Sequence, residues 1–151
     1  MYRKFLFTLI VMCMFVGVLN SEEKSDITVR AVDFKNNKGV ARFGLFNSKK
    51  GFPAKSKKAY MLAVSPIVNN KASVVFENVL NDEYAVNVWH DENNNNKIDS
   101  NFIGMPKEGV GVSNNAKGKF GPPPYKKSKF KVNTSTTISE IKINYLGKRE
   151  G

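Results

Sequence analysis

From Asp26 onward, apolar and polar positions alternate in short runs punctuated by turn residues, and no 3.6-residue apolar stripe is long enough to make a helix. Ile27, Val29 and Ala31 alternate with Thr28 and Arg30, and Lys35-Asn36-Asn37-Lys38-Gly39 follows as a hairpin-type turn rich in residues that tolerate positive φ. Residues 40–46 return as a second strand and 59–68 as a third, where Pro66 argues for an edge or bulged position because proline has no N–H for a ladder. Asn69-Asn70-Lys71 reads as a second hairpin into 72–76, and Leu80-Asn81-Asp82-Glu83 as the next turn. In strand 84–90, Tyr84, Val86 and Val88 take one face and Ala85, Asn87 and Trp89 the other. Two further strands are predicted at 129–132 and 137–145, the last with Ile141, Ile143 and Tyr145 on one face. About seven strands at this spacing predict an all-β two-sheet sandwich of immunoglobulin-like or transthyretin-like type.

Between 91 and 126 the periodicity is lost for about 36 residues, against a usual loop of roughly 4 to 6. The segment opens Asp91-Glu92-Asn93-Asn94-Asn95-Asn96-Lys97-Ile98-Asp99, with oxygen-bearing side chains at its first, third, fifth and ninth positions. Calcium takes six to eight hard oxygen ligands, and a tightly coiled loop offering every second side chain plus one carbonyl can wrap it. Asp91, Asn93, Asn95 and Asp99 are the candidate side-chain ligands, with Lys97 contributing its carbonyl. Asn96 stands where such loops place glycine, and asparagine tolerates the same positive φ. Phe102 occupies the twelfth position, where an EF-hand has a bidentate glutamate, and a strand precedes the loop, so this is not an EF-hand. Two carboxylates imply weak binding, in the ~0.1 to 1 mM range of extracellular modules. An asparagine-rich turn held by Asx hydrogen bonds without an ion is the competing reading.

Ahead of the sandwich, Met1-Tyr2-Arg3-Lys4 leads into a charge-free apolar run from Phe5 to Leu19. Its about 15 residues suit a secretory signal peptide and fall short of the roughly 20 that cross a bilayer. The expected organisation is a leader at 1–20 and a single domain at 21–151, exported to the periplasm or cell surface, with no membrane span once the leader is cleaved. Cys13, the single cysteine, leaves lipidation open, although Met12 stands where a lipoprotein would want a small residue. The remainder has no disulfide to form.

The net charge of +11 comes from twenty lysines and four arginines against 13 acidic residues. Lysines gather at Lys49, Lys50, Lys55, Lys57 and Lys58, and again at Lys117, Lys119, Lys126, Lys127 and Lys129. A metal-free module that binds an anionic glycan or lipid head group of the cell envelope through the second group is therefore the alternative function. Nucleic acid is not expected for an exported chain. A hydrolase would have to use His90, the sole histidine, yet its neighbour Asp91 points to the opposite strand face and no activated serine accompanies it. Zinc is excluded by the same scarcity of ligands. Gly109-x-Gly111 lacks the surroundings of a dinucleotide fingerprint.

Gly39-Val40, Leu45-Phe46-Asn47, Gly51-Phe52-Pro53, Phe76-Glu77-Asn78-Val79 and His90-Asp91-x-Asn93-x-Asn95 form a recognisable series. It continues through Asp99, Asn101-Phe102-x-Gly104, Pro106-Lys107-Glu108-Gly109, Ser113-Asn114-Asn115 and Phe120-Gly121-Pro122. In these elements the chain resembles the exported bacterial family known as domain of unknown function 2141, over nearly all of the sequence after the leader. It departs from that pattern at Asn96, where the family has glycine, and at Asn81-Asp82-Glu83, where the family has a Pro-Gly turn. The resemblance implies the fold and export and carries no activity. The expectation is a non-catalytic binding or structural module with calcium as its cofactor.

Overall fold

In a computed structural model, residues 22–146 are described; the leader expected at 1–20 and Cys13 lie outside them. The strands are β1 (Lys24–Val32), β2 (Val40–Phe46), β3 (Met61–Pro66), β4 (Ala72–Leu80), β5 (Glu83–Asp91), β6 (Val110–Val112), β7 (Phe130–Lys131) and β8 (Thr136–Lys142). They form two sheets, one ordered β4-β1-β8 and the other β3-β2-β5-β6 with β7 also paired to β5. All pairs are antiparallel except β1 with β8. The all-β two-sheet expectation holds, with eight strands among the described residues in place of seven. The extra strand is β6, whose three residues are too few for a period of two to show.

The inward residues are those the alternation selects: Ile27, Val29 and Ala31 from β1, Ala41, Phe43 and Leu45 from β2, and Tyr84, Val86 and Val88 from β5. Pro66 is the last residue of β3, an edge strand of its sheet, which is where a residue without an N–H is tolerated. Phe76 and Val79 are both buried although three apart. A bulge reconciles them: Asn78 adopts φ 54°, its N–H donates to Asp26, and the register slips between Ser25 and Ile27.

Two links read as hairpins are corrected. Residues 35–39 and 69–71 join strands of different sheets, β1 to β2 and β3 to β4. Their asparagines and glycine supply positive φ, at Gly39, Asn69 and Asn70, but the turns carry the chain across the sandwich. Local turn chemistry specifies a sharp reversal and leaves open whether the next strand pairs alongside or opposite.

The outer face of β5 is also buried. Ala85, Asn87 and Trp89 are all buried, and at Asn87 the segment before β3 folds over the strand, the Asn87 amide donating to the Pro53 carbonyl (2.5 Å). Phe52, preceding a cis peptide to Pro53, packs edge-on between Phe46 and Tyr125. β5 is therefore enclosed on both faces, and the long loop leaves from its C-terminal end.

Candidate functional site

His90 and Asp91, the last residues of β5, are both fully buried and face opposite ways. The His90 ring meets Phe34 edge-on, at 5.3 Å between centroids. Its Nε2–H donates to the Lys38 carbonyl (2.7 Å), which can only accept, so with a neutral ring Nδ1 accepts from the Tyr145 hydroxyl (2.7 Å). The Tyr145 oxygen in turn accepts the Lys35 N–H (3.0 Å), and burial raises its pKa above the ordinary phenolic value. Both ring nitrogens thus serve the packing of chain segments.

Asp91 organises the other side. One oxygen accepts from Arg42 Nε (2.5 Å) and from the N–H of Asn96 (3.0 Å), and the second accepts from the N–H of Asn95 (3.0 Å). The chain can coil this tightly because Asn94 and Asn96 adopt φ 57° and 63°, as the glycine-like position of Asn96 predicts. The Asp99 carboxylate then accepts from the amides of Asn93 (2.7 Å) and Asn95 (3.0 and 3.1 Å). Asn93 Oδ1 accepts the N–H of Asn95, and Asn95 Oδ1 that of Lys97. The structure brings Asp91, Asn93, Asn95 and Asp99 onto one turn, whereas the recorded contact of Lys97 is through its N–H.

Glu108 is a residue the ligand spacing misses. It is buried, and its two oxygens accept the N–H groups of Glu92 and Asp99 (both 3.1 Å), tying the start of the turn to its end. Burial raises its pKa, the neighbouring charges of Asp99 and Asp91 add to that, and the two backbone donors oppose it. Glu92 moves the other way. Burial would raise it, but hydrogen bonds from Lys35 and Asn36 and the charge of Lys35 outweigh that and hold it below its ordinary value. Among the described residues no three His, Cys, Asp or Glu side chains converge as a metal-binding group, so a cation here must draw on asparagine oxygens.

Gly109 and Gly111 have a packing reason. A Cβ on Gly109 would meet Ile143 and Tyr145 side chains at 2.5 Å, and one on Gly111 the Lys142 carbonyl at 2.6 Å. Only glycine lets this segment press against the end of β8, where Val110 and Asn144 exchange backbone hydrogen bonds. Beyond β6, the buried Ser113 hydroxyl accepts the Val86 N–H (2.9 Å) and donates to the Ser128 carbonyl (2.6 Å).

The lysines proposed to bind anions are not equivalent. Lys117, Lys119, Lys126 and Lys127 are exposed, while Lys129 pairs with Glu83 (2.5 Å). Beside the groups that bond Asp91, a cleft of about 230 Å³ is lined by Arg42, Leu62, Val64, Trp89 and Asn96. The indole N–H of Trp89 and the side-chain oxygen of Asn87 are buried without partners. No helix among the described residues is long and apolar enough to cross a membrane.

Fold and site define an all-β two-sheet protein whose longest loop is ordered by carboxylates and asparagines at the end of its central strand. The chain belongs to the family described as an uncharacterized protein conserved in bacteria (DUF2141), whose model matches residues 29–139. No curated protein and no solved structure matches it.

Proposed function

We propose that the protein is an exported β-sandwich module that binds rather than catalyses, with a weak calcium site in the loop after β5. The observation that carries this is the gathering of two carboxylates and two amides, from Asp91, Asn93, Asn95 and Asp99, on one turn whose backbone already coils as a cation loop requires. Asn93 and Asn95 present N–H groups to Asp99, and rotating each amide would present its oxygen to a cation at the expense of the backbone N–H that oxygen now accepts, which is a further reason for weak binding. Arg42 already offsets the charge of Asp91 and two backbone donors occupy Glu108, which keeps affinity low. Export rests on the basic start and apolar run of the sequence. The non-catalytic reading is supported by His90, buried with both ring nitrogens engaged, and by the separation of its face from that of Asp91.

The same Asn N–H contacts favour a second reading, a metal-free Asx turn, in which any ligand is an anionic envelope component held by Lys117, Lys119, Lys126 and Lys127. Isothermal titration with calcium separates the two. Saturable heat with a dissociation constant of ~0.1 to 1 mM is expected, lost in Asp99→Ala and kept in Glu92→Ala. Absence of heat in the unsubstituted chain leaves the metal-free turn standing.

A further inference from the structure

Beyond the polar turn, residues 99–107 fold into a finger with its own hydrogen-bond ladder. Lys107 N–H donates to the Asp99 carbonyl (2.8 Å), Asn101 N–H to the Met105 carbonyl (2.8 Å), and Gly104 N–H to the Asn101 carbonyl (3.0 Å). The Asn101 side chain accepts the N–H groups of Ile103 (3.1 Å) and Met105 (2.9 Å). This ordered tip presents apolar side chains to solvent: Phe102 is 99% exposed, Ile103 64% and Met105 39%. Nothing lies within 4 Å of the position a Gly104 Cβ would take. Lys97 and Lys107, both exposed, flank the tip.

We propose that this finger is a membrane anchor whose occupant is the surface of an anionic phospholipid bilayer, with Phe102 and Ile103 entering the acyl boundary and Lys97 and Lys107 at the head groups. Three features select a bilayer. The tip is convex and free-standing, it joins apolar residues to flanking cations, and the N–H groups of Asn101, Ile103, Gly104, Met105 and Lys107 find acceptors within the finger, which lowers the cost of bringing this backbone to an apolar boundary. The inference goes beyond the calcium reading and does not depend on it.

The test is the full chain carrying Phe102→Trp, mixed in chelator with vesicles of phosphatidylglycerol and phosphatidylcholine, or of phosphatidylcholine alone. Because the reporter sits in the finger, membrane binding by the apolar leader does not imitate the signal. A blue-shifted emission and quenching by brominated acyl chains are expected on anionic vesicles, with roughly tenfold or greater loss of apparent affinity when Lys97→Gln and Lys107→Gln are added. Val75→Trp, at an exposed position on β4, is expected to stay unquenched. Three outcomes overturn the proposal: a finger indole that remains in water on every vesicle, equal quenching of the Val75→Trp reporter, or equal binding to charged and uncharged vesicles.

Discussion

The two halves of the long segment after β5 are ordered by different chemistry. Residues 91–109 turn around ionisable groups, Asp91, Asp99 and Glu108. Residues 113–128 turn around neutral ones: Ser113 joins β5 to the short helix Tyr125–Ser128 (α1), and the Asn114 amide donates to the carbonyls of Lys127 and Lys129. Each is an economical way to satisfy backbone that leaves a sheet. Only the first half, however, can respond to a cation or to pH, because only there do the organising groups carry charge that a ligand or proton can alter.

The largest effect that sharpens this contrast is expected from Asp91→Ala. It strips a buried partner from Arg42, removes the side-chain acceptor of the Asn96 N–H and leaves the Asn95 N–H with Asn93 alone, costing about 3 kcal/mol in urea unfolding. Ser113→Ala in the neutral half is expected to cost about 2 kcal/mol, since a buried N–H and a buried carbonyl each lose a partner. Its cost should be the same at acid and neutral pH. A cost that changed with pH would erase the distinction between the halves.

Glu108→Gln gives the smallest effect and the most specific one. The folded-state pKa of Glu108 is raised, so its favourable contribution is full below the unfolded-state value and is lost as pH rises through the raised folded value. Glutamine keeps one acceptor and cannot titrate. The variant is expected to be about 1 kcal/mol less stable than the unsubstituted protein in acid and to close that gap as pH rises, read from unfolding midpoints across a pH series. A gap that widened toward neutral pH would mean that the two backbone donors outweigh burial at Glu108.

Much of this arrangement was legible in the residues. The alternation of β1 and β5 placed Ile27, Val29, Tyr84, Val86 and Val88 inside, and the asparagine spacing located a turn whose positive φ at Asn96 the structure bears out. The roles of Glu108 and Ser113 were not legible, although both stand in segments that carry the family resemblance. Glu108 acts on Glu92 from sixteen positions away, and Ser113 on Val86 from twenty-seven, distances at which no local pattern operates. The burial of Asn87 was hidden for the same reason, since a segment thirty-four positions away folds over it. Sheet crossing at 35–39 was equally invisible, because a turn rich in asparagine and glycine suits either geometry.

The claim that the charged half is a cation site is tested most directly by the melting temperature with and without calcium. For a dissociation constant of ~0.1 mM and ~1 mM calcium, binding adds about 1.4 kcal/mol, a rise of about 4 °C. That rise should vanish in Asp99→Ala and survive intact in Ser113→Ala, whose own melting temperature starts lower. An unchanged melting temperature in the unsubstituted protein, or a rise that persists in Asp99→Ala, would contradict the account.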